Sequence, residues 1–319
     1  MPTSSLQTEA RLMPTNHLNS QSSSLVNQRS LENMLTSWAL LLSAMFLMSA
    51  CYPERVESIK LMNQGIKEYN GGSSSAAVRL LARSAETDPT NHRALFYRGL
   101  ILNEMGRLEE RNSRFEQAVR SLKGSIRIHA EDPEAYYQLG VSLSELGKDI
   151  QAIEAFSDAT AIAPHGEASY RRGLIHLKRE EYNKAQESFR AAIIAKPDLG
   201  LAYTALSQLY RQFRKKSAAV TVLKNAIEND PEEMNHFRDL GEVYSSLKQF
   251  SKAIQLFETA HQEKPSNAPL TYLLGEAYFM HGDLQSAEIY VKRYLRMGHT
   301  RAEKLMISKA KEILRSLRK

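Results

Sequence analysis

Residues 136–164 read YYQLGVSLSELGKDIQAIEAFSDATAIAP, and residues 237–265 read FRDLGEVYSSLKQFSKAIQLFETAHQEKP. Aligned on Gly140 and Gly241, the two stretches place Ala, Phe, Ala and Pro at the same four offsets: Ala152, Phe156, Ala159 and Pro164, then Ala253, Phe257, Ala260 and Pro265. Gly173 heads the same series through Ala185, Phe189, Ala192 and Pro197. Ser207 stands in for glycine before Ala219, Leu223, Ala226 and Pro231. Small residues at 140, 173, 207, 241 and 275 are thus 33 or 34 apart, a period that belongs to stacked supersecondary units. Working outward, Gly65 heads a weaker copy with Ala77, Leu81, Ser84 and Pro89. From Gly99 the next matching alanine is Ala118, seven residues late, so residues 107–114 hold an insert that is either helical or an enlarged loop.

The offsets describe a helical hairpin. Small residues on both helices allow close crossing, and Phe156, Phe189 and Phe257 are expected to fill the space between one pair and the next. Gly106, Gly147 and Gly282 fall where a first helix should end in a left-handed turn. Asp88-Pro89, Asp132-Pro133 and Asp230-Pro231 should stop the second, since proline has no amide to donate and clashes with the preceding turn. The period and these residues resemble the tetratricopeptide repeat (TPR). The resemblance implies an all-α, right-handed α-solenoid of about seven hairpins over 57–298. A capping helix over 299–319 would bring Leu305, Met306, Ile313, Leu314 and Leu317 near one face.

Before the array stands a different composition. Residues 1–33 are rich in Ser, Thr, Asn and Gln and read as disordered or as a mis-assigned extension, with Met13 and Met34 as alternative starts. Leu35–Ala50 carries no charge and ends at Cys51, the only cysteine, which excludes a disulfide framework. Residues 34–50 suit a signal-peptide core, with 51–56 as a short tether. Met48-Ser49-Ala50-Cys51 resembles a bacterial lipobox, which implies lipidation of Cys51 and a place on the periplasmic face of the outer membrane. An uncleaved anchor in the inner membrane is the other reading of the same run.

Chemistry is absent from the motifs. The chain has no phosphate-binding glycine loop, nucleophile elbow or His-Glu-x-x-His, and its nine histidines are scattered, so no enzyme activity, metal or cofactor is expected. A net charge of +6 from 42 cations and 36 anions reads as a mixed solvated surface, without nucleic acid or a small-molecule substrate as partner. Recognition of protein remains. On each first helix, residues six and three before the glycine and one, four and five after it share a face. By resemblance this face lines the concave groove. It is mostly apolar early (Ile59, Met62, Ile66, Tyr69, Arg93, Phe96, Leu100, Tyr137, Val141, Tyr170, Leu174, Leu177) and polar later (Gln208, Arg211, Arg238, Glu242). Met62, Phe96, Leu100, Tyr137, Val141, Tyr170 and Leu174 are the candidate peptide-binding residues, suited to an amphipathic helix or extended peptide. The Lys and Asn pairs that hold a terminal carboxylate in chaperone-binding members are missing. Arg211, Arg214, Lys215 and Lys216 form a basic cluster at one turn. A lipid-anchored array of this length resembles the pilotin-type lipoproteins of type IV pilus biogenesis. A general periplasmic adaptor that recruits cell-wall enzymes is the alternative.

Overall fold

The computed structural model describes residues 53–297 and 304–317. Cys51 and the Leu35–Ala50 run lie outside the described residues, as do 298–303. Among the described residues every regular element is a helix: α1 over 53–70, α2 (Ser74–Thr87), α3 (His92–Glu109), α4 (Asn112–Ile128), α5 (Pro133–Glu145), α6 (Asp149–Ile162), α7 (Gly166–Lys178), α8 (Tyr182–Ala195), α9 (Gly200–Gln212), α10 (Lys216–Asn229), α11 (Met234–Ser246), α12 (Phe250–Glu263), α13 (Ala268–His281), α14 (Leu284–Arg296) and α15 (Lys304–Ser316). Consecutive helices pack pairwise along the chain, so seven hairpins stack and α15 closes the end against α13 and α14. This is the all-α solenoid that the period predicts.

The glycine–phenylalanine pairs explain why each hairpin closes. A Cβ on Gly140 would lie 2.6 Å from Phe156 Cδ1, one on Gly173 2.6 Å from Phe189 Cδ1, and one on Gly241 2.0 Å from Phe257 Cζ. The phenylalanines therefore pack on the glycine of their own hairpin, and Phe257 also lines the space shared with Leu273 and Ala277 of the next. Burial of such a ring contributes about 2–3 kcal/mol per repeat.

The insert at 107–114 is helical except at residues 110 and 111, where the chain turns. It lengthens both arms of the second hairpin, to 18 residues in α3 and 17 in α4, where most helices of the array have 13 or 14. Gly106 consequently ends nothing: it sits within α3, where a Cβ would meet the Phe115 ring at 2.8 Å, and Glu110 (φ 53°) takes the left-handed turn. Gly147 (φ 70°) and Gly282 (φ 94°) do make that turn, and Glu180, Arg214 and Lys248 adopt it at the equivalent places.

Asp132-Pro133 also differs from expectation. Helix α4 stops at Ile128, and the pair instead starts α5, with Pro133 in the first turn and Asp132 accepting from the amides of Glu134 and Ala135. In α15, Ala310 and Ile313 are buried and Met306, Leu314 and Leu317 pack beside them, but Leu305 is 67% exposed.

Candidate functional site

Stacking puts the same repeat position of successive first helices side by side, so α1, α3, α5 and α7 present one continuous face. Phe96, Leu100, Tyr137 and Tyr170 are half-buried on it, and Leu174 is 38% exposed. Met62 (6% exposed) and Val141 (2%) are buried, so both support the face from below and offer little surface to a partner. The reason is local: each is packed against the N-terminal core cluster, so the shared helical face of the sequence overstates what reaches solvent. Ile59 is open at 43%, and Ile66, Tyr69 and Leu177 are half-buried along the same row.

The aromatic members are held in place. The Tyr137 ring stacks on His165 with centroids 4.6 Å apart, and its hydroxyl accepts from Arg171 Nε at 3.1 Å. His165 is fixed in turn, its Nδ1 accepting the Ala168 amide at 3.2 Å while Nε2 faces Glu134 at 3.3 Å. A cavity of about 470 Å³ opens here between Glu134, Tyr137, His165, Glu167 and Lys196. Tyr170 lies 6.0 Å from the Phe189 ring, and burial raises its hydroxyl pKa. Tyr69 donates to Glu104, and that bond raises its pKa most. These residues offer shape and apolar surface, with no nucleophile–base pair among them. Among the described residues no group of His, Cys, Asp or Glu is placed to hold a metal ion, and no helix is long and apolar enough to cross a membrane.

Along α9, α11 and α13 the face changes character. Arg211 and Glu242 approach at 3.4 Å, and Arg238 pairs with Asp239 at 3.0 Å. A cavity of about 270 Å³ between Arg211, Glu242, Ser245, Leu273, Glu276 and Met280 is therefore mixed in polarity. Met280, 55% exposed, and the half-buried Phe279 return apolar surface to the last hairpin. They stand four and five residues after Gly275, so the same offsets applied to the seventh repeat identify them. The Arg211–Lys216 cluster is divided in the structure: Arg211 faces Glu242, Lys216 Nζ donates to the Ser246 carbonyl at 2.8 Å, and Arg214 is the left-handed turn residue.

The opposite face, built by second helices, carries grooves that the offsets alone do not show. One of about 390 Å³ runs between α8 and α10 over Tyr203, Leu206 and Tyr210, and one of about 570 Å³ between α10 and α12 over Phe237, Leu240 and Tyr244.

Comparison with known proteins agrees with this architecture. A profile described as Tetratricopeptide repeat matches residues 103–167, 151–200 and 204–268, together more than half of the chain. A second of the same description matches 246–306. The chain is 23% identical over 170 residues to Tetratricopeptide repeat protein 13 of Homo sapiens, which covers 53% of this chain and 19% of that protein. It thus spans about a fifth of that relative's length. A crystal structure of MamA is similar with a TM-score of 0.48 and 26% identity, covering 54% of this chain and 96% of that one. The structure titled for Pseudomonas aeruginosa pilF gives a TM-score of 0.49 and 16% identity, covering 69% of this chain and 96% of that one. Tetratricopeptide repeat proteins are protein-interaction scaffolds, and their fold is typically non-catalytic. With its period, its stacked hairpins and a profile match over more than half its length, this chain belongs to the tetratricopeptide repeat family.

Proposed function

We propose that the chain is a non-catalytic scaffold, lipid-anchored through Cys51 on the periplasmic face of the outer membrane, that helps an outer-membrane or pilus complex assemble. The observation that carries the binding half of this reading is the row of half-exposed apolar side chains on α1, α3, α5 and α7, with the Tyr137 ring oriented by His165 and Arg171. Such a row suits the apolar face of an amphipathic helix, and aromatic anchors commonly supply most of an interface's energy. The anchor half rests on the uncharged Leu35–Ala50 run ending at the only cysteine and on its lipobox-like close.

Two measurements test the reading separately. Metabolic labelling with a fatty acid should mark the wild type and not Cys51→Ser; equal labelling of both sinks the anchor. Capture of partners from detergent-solubilised envelopes should be lost in Phe96→Ala, Tyr137→Ala and Tyr170→Ala, while the variants remain folded by circular dichroism. Undiminished capture by folded variants places binding elsewhere. A secretin in the captured set supports pilus assembly, and a peptidoglycan hydrolase in its place overturns that role in favour of a cell-wall adaptor.

A further inference from the structure

The residue just before the repeat glycine is a leucine in four hairpins, Leu139, Leu206, Leu240 and Leu274, all largely withdrawn from solvent. In the second hairpin it is Arg98. Its guanidinium reaches Ser121 on α4 and feels the charge of Glu86 on α2, whereas Leu206 and Leu240 floor grooves between second helices further along. One Nη donates to Ser121 Oγ at 3.2 Å, but among the described residues Nε is buried with no partner and no carboxylate lies within ion-pair distance. Burial, and then the like charge of Arg120, lower the Arg98 pKa, with Glu86 only partly offsetting them. A half-buried guanidinium without a counterion is costly unless an anion meets it.

The helices that flank it are basic on their outer faces. Arg79 and Arg83 on α2, and Arg120, Lys123 and Arg127 on α4, are exposed and make no ion pair among the described residues. The anions on those two faces are Glu86 and Glu116. The neighbouring α6 is the reverse, with exposed Glu154 and Asp158 and no cation along Asp149–Ile162. The basic patch of the first two hairpins is thus interrupted at α6, and exposed cations gather again on the last hairpin, at Lys292, Arg293 and Arg296 of α14. The first patch also reaches the edge where the chain enters the array. Ser58 on α1 bonds Ser84 at the end of α2 and receives a bond from Asn91, and Ser125 on α4 bonds the His92 carbonyl. Arg83, Lys123 and Arg127 stand one or two residues from those contacts.

We propose that the α2/α4 face docks on an anionic bilayer surface, with lipid headgroup phosphates meeting Arg98 and Arg120. Its identification of the surface as a membrane rests on the anchored reading, since α1 begins at residue 53, two residues beyond Cys51, and so keeps this edge close to the lipid. Guanidinium groups suit phosphate because their paired donors match its oxygens. The attraction should weaken with salt, as exposed charge does.

The test is flotation of the full chain with phosphatidylcholine vesicles, with and without phosphatidylglycerol. The wild type should prefer the anionic vesicles, and Arg98→Leu, Arg120→Gln and Lys123→Gln should each reduce that preference about fivefold. Arg98→Leu should melt no earlier than wild type, because four other hairpins hold leucine there. Binding to neutral vesicles reports on the Leu35–Ala50 run and acylation alone, so loss of the anchor leaves the anionic preference intact and loss of the patch leaves neutral binding intact. An anionic preference that survives all three substitutions, is absent from the wild type, or falls equally in Lys216→Gln/Lys224→Gln overturns the proposal. So does capture of an acidic protein through this face without any lipid preference.

Discussion

Substituting Gly140 tests the contact that closes each hairpin. A Cβ there would stand 2.6 Å from both Cδ1 and Cε1 of Phe156, a ring with no exposed surface. Comfortable carbon contacts begin near 3.5 Å, so the ring or the helix must move by about 1 Å. Overpacking of this kind costs ~1–3 kcal/mol. Replacing a mid-helix glycine by alanine returns ~1 kcal/mol of helix propensity. Gly140→Ala should then be destabilised by ~1 kcal/mol, and Gly140→Leu by ~3 kcal/mol. The natural solution appears in the fifth hairpin, where a larger Ser207 is matched by a smaller Leu223, both buried. Gly140→Ala combined with Phe156→Leu should accordingly lose less stability than the sum of the single variants, with coupling of ~1 kcal/mol or more. Urea unfolding followed by helical circular dichroism measures all four corners of that cycle. Gly140→Ala at or above wild-type stability, with additive behaviour in the double variant, would refute the ring contact as the reason for glycine.

Other expectations follow from particular residues. His236 is buried with both ring nitrogens unpartnered, and burial lowers its pKa against the opposing pull of Glu233, Asp230 and Asp239. A depressed histidine contributes stability that is complete above its unfolded pKa of about 6.5 and is lost as pH falls below it, so thermal melting should drop between pH 7 and pH 5. His236→Ala should flatten part of that drop; an unchanged pH profile counts against it. Lys248 sits at φ 60°, a conformation costing ~1–2 kcal/mol without glycine, so Lys248→Gly should raise the melting temperature. Tyr137→Phe should retain the ring stack, lose the Arg171 bond, and melt within ~1 kcal/mol of wild type, whereas Tyr137→Ala loses both.

The fold was legible because hairpin closure demands particular side chains at fixed offsets. Gly140, Ala152, Phe156 and Ala159 are all buried, and nothing about their spacing depends on neighbouring repeats. The groove was less legible for the opposite reason. Met62, Tyr137 and Val141 share a helical register, yet Met62 and Val141 are covered and Tyr137 is half open, because exposure there is decided by the next hairpin. Helix ends had a similar weakness. Asp132-Pro133 reads equally well as a stop for one helix or a start for the next, and only the hydrogen bonds to Asp132 show that it starts α5. The Gly106 reading failed because the insert moved the turn to Glu110 while leaving the glycine to meet Phe115.

In a solenoid, each hairpin repeats the same packing problem, so a residue that departs from its repeat position cannot be explained by closure alone. Three departures are informative here. His236 occupies the place of Ala94, Ala135, Ala168 and Ala202, each fully buried, and it fits because a Cβ on Gly200 would reach its Nε2 at 2.9 Å. That departure is compensated within the array, so it concerns stability. Arg172 takes the same leucine position as Arg98, but its guanidinium donates to both Ser188 and Ser157 at 3.3 Å beside the acidic outer face of α6. Two of its five donors are thus placed, its Nε among them, and no like charge opposes it as Arg120 opposes Arg98. Arg98 keeps a buried, unpartnered Nε among unpaired cations, with only Ser121 as partner. Two arginines at one repeat position thus differ in that Arg98 alone keeps an unpartnered Nε and faces a like charge, on the hairpin next to the edge where the chain enters the array. Charge that the fold does not balance, beside the exposed Arg79, Arg83, Arg120, Lys123 and Arg127, is the ground on which the membrane-docking proposal stands.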